Sequence, residues 1–213
     1  MTNFIPIFPL EVVVFPGEKL NLHIFEQRYI QLIQECWQHQ KPFGIPSVIN
    51  GVISETGTIV QIEKIVKSYP DGRMDITTRG TAVIRILEVI KEIPDKLYMG
   101  AIASYMENIV GPIPSVMAKL FPALREMHRL LDIEKKLEEN ITLTSYQVAH
   151  HAGLTLQQEY ELLTLLREDQ RLEYLKRHLA HVVPIMATME DLKKKIQLNG
   201  HFRELKGFDF HED

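Results

Sequence analysis

A chain of 213 residues, 45% hydrophobic and 24% charged, holds enough apolar material for a packed core in one large domain or two small ones. Its net charge of −4 runs against a protein whose main partner is a nucleic-acid backbone. The charge is not segregated, with 10 Lys/Arg against 12 Asp/Glu in residues 1–110 and 14 against 16 in 111–213. The lone cysteine, Cys36, excludes an intramolecular disulfide or a thiolate zinc cluster, and no apolar run approaches the ~18 residues of a membrane helix.

The opening Met1-Thr2-Asn3-Phe4-Ile5-Pro6 lacks the basic n-region of a signal peptide, and with the single cysteine it sets the expected location as cytoplasmic. Phe4–Phe8 reads as a short apolar strand and Phe15-Pro16-Gly17 as a turn. Lys19–Phe25 alternates around Leu20, Leu22 and Ile24, the period of a half-buried strand. Over Glu26–Gln40 the period changes: Tyr29, Ile30, Ile33, Cys36 and Trp37 recur at three- and four-residue spacing, which predicts an amphipathic helix lying on the sheet. Phe43–Ile49 follows as a strand, Asn50-Gly51 as a turn, and Gly57–Tyr69 as a long strand in which Val60 and Ile65 blur the alternation and mark a bulge. Pro70-Asp71-Gly72 is a hairpin signal, since Pro pre-sets its φ and Gly accepts φ > 0. Arg73–Thr78 returns, Arg79-Gly80 predicts another turn, and Ala82–Ile93 and Tyr98–Glu107 supply two more strands. Six or seven strands with one early helix close most readily as a small barrel, because an open sheet exposes its edges.

Gly111-Pro112-Ile113-Pro114 is a linker, and beyond it helical periodicity takes over. Val116–Glu139 predicts a long helix, with Leu120, Leu124, Met127, Leu131 and Leu137 on one side and Pro122 placed to break or kink it. Ser145–His151 is a short helix ending at Gly153, and Thr155-Leu156-Gln157-Gln158 is a capping box opening a helix over 156–166. Asp169 caps a further helix to about Val182. Thr188-Met189-Glu190-Asp191 opens a last one, ending at Asn199-Gly200. In the tail, 201–213, Phe202, Leu205, Phe208 and Phe210 are available for docking. The predicted fold class is α+β: a β-rich lobe over 1–110 and a helical bundle over 115–200.

Chemical motifs are few. There is no Gly-x4-Gly-Lys-Ser/Thr, and no Gly-Lys dipeptide at all, so the phosphate cradle of a P-loop is absent from the sequence. Of the nine histidines, His150-His151 are adjacent and point about 100° apart on a helix, while His178 and His181 share a face without a third ligand; both pairs read as solvated or core-edge histidines. His23 and Glu26 sit at a strand-to-helix junction where an acid–base pair is conceivable. The bland reading places Glu26 in the first helical turn, where the dipole favours its charge. Ser115 and Lys119 have the spacing of a Ser–Lys dyad, but Ser115 after Pro114 is equally a helix N-cap. Cys36, beside Trp37 on an apolar face, reads as a small buried hydrophobe. Val148-Ala149-x-x-x-Gly153-Leu154-Thr155 has a helix-turn-helix cadence. Its second helix, Leu156-Gln157-Gln158-Glu159-Tyr160-Glu161, carries two carboxylates and no cation before Arg167, so bundle packing accounts for it better than DNA reading does.

Four pieces of the first thirty residues occur in a telling order: Ile5-Pro-Ile-Phe-Pro-Leu10, Val14-Phe-Pro-Gly17, Leu20-x-Leu-His-Ile-Phe-Glu26 and Arg28-Tyr29. Together they resemble the opening of the substrate-binding N-terminal domain of the Lon proteases. Phe43-Gly44, Gly57-Thr58, Asp71-Gly72-Arg73-Met74-Asp75-Ile76 and Arg79-Gly80 continue the resemblance, and Glu168-Asp169-Gln-Arg-Leu172 extends it more loosely to about residue 200. The resemblance implies a PUA-like pseudo-barrel followed by a helical bundle, and a part in recognising exposed polypeptide segments or docking a protein partner. In full-length Lon this lobe precedes an ATPase and a Ser–Lys peptidase. The sequence ends before either begins, so a stand-alone form that is not an enzyme is expected. The cereblon branch of the family adds a zinc-bearing domain, which one cysteine cannot supply. On this reading no cofactor, metal or catalytic residue is expected, and homo-oligomerisation is admissible. The motif residues specify fold: Pro16-Gly17 turns the chain, Phe15 and Ile24 fill a core, and Arg28 pairs with an acid. The binding surface is left to exposed apolar residues between the lobes. The alternative is an RNA-binding PUA-like protein, which requires a basic face; a hydrolase requires a deep pocket of converging polar groups.

Overall fold

The computed structural model describes residues 2–133 and 139–205, with side chains to Leu198. Six strands come first: β1 (Thr2–Ile7), β2 (Lys19–Ile24), β3 (Phe43–Ile49), β4 (Val52–Ser68), β5 (Met74–Ile90) and β6 (Met99–Tyr105), with helix α1 (Gln27–Gln38) between β2 and β3. Four helices follow: α2 (Pro114–Leu130), α3 (Ser145–Ala149), α4 (Leu156–Thr164) and α5 (Glu168–Leu205).

The strand order is β2-β5-β4-β3-β1-β6, and a further β5–β6 pairing closes β1, β3, β4, β5 and β6 into a ring. Closure depends on the length of β5. Its first part, Met74–Arg79, lies between β2 and β4, while Ile84–Ile90 pairs with β6. Three register shifts along β4–β5, between Ile59 and Val60, Ile62 and Lys64, and Ile65 and Lys67, give the local bends that such curvature needs. The blurred alternation at Val60 and Ile65 was the trace of these bulges. Ile5, Ile7, Ile59, Ile84 and Ile86 fill the ring, with Ala101 and Ala103 leaving room for them. A second core lies under α1, whose Tyr29, Ile30, Leu32, Ile33 and Cys36 pack on Phe8, Ile24, Phe43, Ile45, Val60 and Ile76. Trp37, assigned to that face by spacing, stands at its rim, 36% exposed.

Both predicted hairpin turns are present. Asn50 and Gly51 have φ of 51° and 78°, and Gly72, at φ 89°, donates its N–H to the Tyr69 carbonyl at 3.0 Å. Arg79-Gly80 is not a turn; it lies within β5. The Gly80 N–H donates to the Glu18 carbonyl at 2.9 Å, and its carbonyl accepts from Gly17 N–H at 2.8 Å. A Cβ at Gly80 would collide with the Phe15 carbonyl. The glycine therefore marks the close passage of the 15–18 turn, the other meaning of a glycine in a strand.

The helices differ from expectation at three places. α2 ends at Leu130 rather than Glu139, and Leu137 lies outside the described residues. Its N-cap is Ile113 and Pro114 occupies the first turn, so Ser115 is not the cap. Pro122 lies inside α2 without ending it, and Pro184 lies likewise inside α5. In each case the residue four positions earlier, Ala118 or Ala180, is exposed, so solvent can meet the carbonyl that loses its partner. α5 is one helix where two were expected. The Thr188 hydroxyl donates to the Pro184 carbonyl at 2.9 Å instead of capping a new start. The helix runs through 201–205; the rest of the tail, with Phe208 and Phe210, lies outside the described residues.

The helical core gathers Leu120, Leu124 and Met127 of α2, Tyr146, Val148 and Ala149 of α3, Leu162 and Leu163 of α4, and Leu172, Leu175 and Leu179 of α5. Val13, Phe15 and Val83 from the β-rich part join the same cluster, so the two parts share one apolar seam. Substituting Gly80→Ala presses a methyl onto Phe15 backbone and should lower stability by about 2 kcal/mol. Gly17→Ala, with open space around it but φ at 88°, should cost only about 1 kcal/mol, both measured by urea denaturation.

Candidate functional site

The residues singled out for chemistry are not assembled for it. Ser115 and Lys119 are both exposed on the first turns of α2. His23 is not paired with Glu26. Its Nδ1 lies 2.6 Å from Asp75 Oδ1 across the β2–β5 pair, and Asp75 Oδ2 accepts from the Tyr69 hydroxyl at 2.8 Å. The His23 bond, then the Tyr69 bond, hold the Asp75 carboxyl below the usual range. Glu26 is the N-cap residue of α1, one position outside the first turn, and its carboxylate pairs with Arg28 at 2.7 Å. Arg28 thus has the acid partner expected of it. Burial pushes the Cys36 thiol up to about 12, so at neutral pH it stays protonated and unreactive.

The histidines tie helices together. His128 Nε2 on α2 and His178 Nε2 on α5 lie 3.2 and 2.9 Å from the carbonyls of His151 and Ala152, just past the end of α3. These carbonyls have no intrahelical partner, and the two imidazoles supply one. Desolvation lowers the His178 pKa, which keeps it neutral for this task. Among the described residues no group of three or more His, Cys, Asp or Glu is placed to hold a metal ion. The two capping boxes, Thr144 with Gln147 and Thr155 with Gln158, start α3 and α4. α4 then buries Leu162 and Leu163 and turns Gln157, Glu161 and Thr164 outward, so the helix-turn-helix cadence serves packing.

Two polar devices fasten the seam between the β-rich and helical parts. The first is Arg171, fully buried on α5. Its guanidinium donates to Ser145 Oγ at 2.9 Å, Asn108 Oδ1 at 2.9 Å, the Leu165 carbonyl at 2.6 Å, the Ile109 carbonyl at 2.8 Å and Glu168 Oε2 at 2.8 Å. It also stacks over the Tyr146 ring at 4.2 Å. Glu168 in turn accepts from the Ser145 N–H and hydroxyl at 2.6 and 2.9 Å. The segment after β6 is held a second time where Ile109 N–H donates to the Leu166 carbonyl at 2.8 Å. The second device is His150, whose Nδ1 lies 2.7 Å from Glu159 of α4 and Nε2 3.1 Å from Glu18 of the turn before β2. Its ring also packs on Phe15. The Glu159 bond first and the Glu18 bond second raise its pKa to about 10, so it is an imidazolium at neutral pH.

Beside the seam lies a cleft of about 140 Å³, lined by Glu55, Thr56 and Arg85 of the barrel, Met106 just after it, and Tyr160 and Leu166 of the helical part. Arg85 is exposed and has no ion pair with a described residue. On the chain leaving the barrel, Tyr105, Ile109 and Val110 expose 46%, 57% and 46% of their surface. A small-molecule site is usually a few hundred Å³ or more, so this cleft takes a side chain rather than a whole ligand. A larger groove of about 770 Å³ between α4 and α5 includes Asp169, Glu173, Tyr174, Arg177, His178 and His181. Its charges are already paired, Asp169 with Arg167 and Glu173 with Arg177, and burial with the Glu161 bond pushes the Tyr174 hydroxyl up to about 12. Sequence reasoning missed Tyr105, Arg85, Tyr160 and the Ile109-Val110 pair as surface features. The one available signal was an apolar pair directly before Gly-Pro.

A β-barrel carrying one helix on its flank is fastened to a helical bundle, with exposed apolar side chains on the chain that joins them. The chain belongs to the family of the ATP-dependent protease La (LON) substrate-binding domain, whose pattern it matches over residues 5–181. Among solved structures, the crystal structure of a Lon N-terminal domain protein from Xanthomonas campestris superposes with a TM-score of 0.63 at 25% identity, covering 82% of this chain and 98% of that one. The N-terminal domain of a Mycobacterium avium complex Lon protease has the same fold, with a TM-score of 0.59 at 15% identity over 84% and 99% of the two chains.

Removing Arg171 strands a buried carboxylate, so Arg171→Met should cost about 4 kcal/mol in urea denaturation, and the double change Arg171→Met with Glu168→Leu should recover most of it. His150 is bound more tightly as a cation in the folded state than its ordinary value of 6.5 allows. Its stabilisation is therefore complete below pH 6.5 and lost as pH rises through about 10. His150→Gln should cost about 1 kcal/mol or less at pH 6, given the ring's partial exposure. The gap to the unmodified protein should close by pH 10–11 in the same measurement.

Proposed function

We propose that the protein is a non-catalytic polypeptide-binding module, which captures an extended, unfolded segment along the seam between its barrel and its helices. The observation that carries this reading is the exposure of Ile109 and Val110 on a segment whose Ile109 N–H bonds Leu166, a wall of a cleft sized for one side chain. Its backbone is already fixed by Arg171 and by the Ile109–Leu166 bond, so little ordering is lost on binding. Arg85 stands ready to pair with an acidic group of the bound segment. Membership of a substrate-binding family supports binding, and His23, Glu26 and Cys36 are engaged in an ion pair, a helix start and a core rather than in a shared site. No helix among the described residues is long and apolar enough to cross a membrane. With a buried, protonated Cys36, the chain suits a reducing cytoplasm.

Fluorescence anisotropy with labelled, reduced and alkylated polypeptides tests the reading. Saturable binding is expected, and replacing Ile109 and Val110 together by serine should weaken it about tenfold, a loss of about 1.4 kcal/mol, without moving the melting temperature. Absence of saturation at high micromolar protein would sink the proposal. Salt-sensitive binding of single-stranded RNA in its place would favour the nucleic-acid alternative.

A further inference from the structure

Closing the barrel leaves one strand out. The ring runs through β1, β3, β4, β5 and β6, and β2 pairs with β5 alone, at the end of the sheet. The phase of that pairing shows which of its backbone groups are used. Gly80 N–H donates to the Glu18 carbonyl at 2.9 Å and the Thr78 hydroxyl to the Leu20 carbonyl at 3.1 Å, so Glu18 and Leu20 face β5. In an antiparallel ladder successive residues aim their polar backbone groups to opposite sides. Leu22 and Ile24 therefore follow Leu20, while Lys19, Asn21 and His23 turn their N–H and C=O groups away from β5. Among the described residues no strand or side chain reaches those groups. Sheet edges are ordinarily blunted by a proline, a bulge, an inward charge or a lysine. β2 has neither proline nor register shift in its six residues, and its inward side chains are Leu20, Leu22 and Ile24. The three outward side chains are drawn back over the sheet: Lys19 to Glu63 at 3.9 Å, Asn21 to Thr77 at 2.9 Å and His23 to Asp75 at 2.6 Å. The edge is left clear.

We infer that an extended stretch of the bound polypeptide adds to this edge as a further strand beside β2. The inference rests on the polypeptide capture proposed above and assigns the place where the captured backbone is held. A row of N–H and C=O groups recurring about every 7 Å is matched by another extended backbone and by little else. Main-chain bonds to Lys19, Asn21 and His23 ask for no particular sequence, which suits the capture of unfolded chains. Side chains set a preference. Ile24 is buried, but Leu20 and Leu22 are only half covered, because the core under α1 ends at them. Alternate residues of an added strand lie beside these two leucines, so apolar residues at every second position are favoured. The edge also starts at the seam, since Glu18, the residue before β2, bonds His150 there.

Amide hydrogen exchange of the full chain, read by NMR with and without reduced, carboxymethylated lysozyme, tests the inference. The amides of Lys19, Asn21 and His23 should exchange about tenfold more slowly at saturating probe, while those of Leu22 and Ile24 are slow in both states. Asn21→Pro deletes one outward N–H without removing a bond to β5, and should weaken probe binding about tenfold in anisotropy. Asn21→Ala keeps that N–H and should bind as the unmodified protein does. Saturable binding with unchanged exchange at all three amides overturns the inference and leaves capture at the seam standing, whether or not Asn21→Pro folds. An equal loss in Asn21→Ala and Asn21→Pro overturns it as well, since the side chain is then the contact. Protection of the three amides that needs no probe and grows with protein concentration overturns it in favour of a second copy. Absence of any saturable binding removes the capture reading and this inference together.

Discussion

A guanidinium cannot shed its charge inside a protein, so enclosing Arg171 completely is possible only if every N–H finds an acceptor. The structure meets that condition with groups drawn from the chain leaving the barrel, from α3, from the end of α4 and from α5, and adds the face of Tyr146. The arrangement of the two parts follows from this one constraint. Asn108 and Ile109 must sit where the last strand ends, Ser145 must start α3 beside Glu168, and α5 must enter the bundle with its first turn against the barrel. A buried ion pair adds little net stability compared with apolar residues of the same shape, but it tolerates very few geometries. In this protein its effect is to fix how the barrel and helices meet, and therefore which surface lies open between them.

His150 acts at the other side of the seam and by a different balance. It is partly exposed, so its two carboxylate partners are screened by water, yet they come from two elements far apart in sequence, Glu18 and Glu159. With Phe15 stacked on Tyr146 beneath it, the clasp closes the apolar seam where the 15–18 turn crosses β5. Gly80 belongs to the same construction, since only a residue without Cβ lets that turn approach the strand so closely.

Much of this was legible in the amino-acid order. Period-two alternation placed β2, and the switch to three- and four-residue spacing placed α1, because each of these elements has one buried and one wet face. Asn50-Gly51 and Gly72 announced their turns through the φ they permit. Gly80 misled because a glycine marks both turns and close approaches, and only the three-dimensional neighbour decides which. The Thr188 tetrad misled for a related reason: it has the residues of a fresh helix start, but α5 runs through Pro184 into it, because a proline ends a helix only where the displaced carbonyl cannot meet solvent, and that is a property of the fold. The candidate site was harder to read. Arg171 and Glu168 were visible as an i, i+3 pair, but nothing local distinguishes such a pair on the surface from one enclosed by three other segments. The seam residues Tyr105, Ile109 and Val110 become a surface only once the helices stop short of covering them.

The pairing of the first strand with the sixth has a temporal corollary. Thr2 lies opposite Ser104 and Ile7 opposite Met99, so the ring closes only between residues about a hundred apart in sequence. On the ribosome, the leading strand must wait until that much chain has emerged before its antiparallel partner exists. Until then its apolar isoleucines and unpaired amides stand open to solvent. Non-local closure of this kind slows folding relative to the helical half, whose contacts are nearer neighbours. Nascent chains of this protein are therefore most vulnerable to aggregation before β6 is made, and its own unfinished barrel is the kind of polypeptide that holdase chaperones retain.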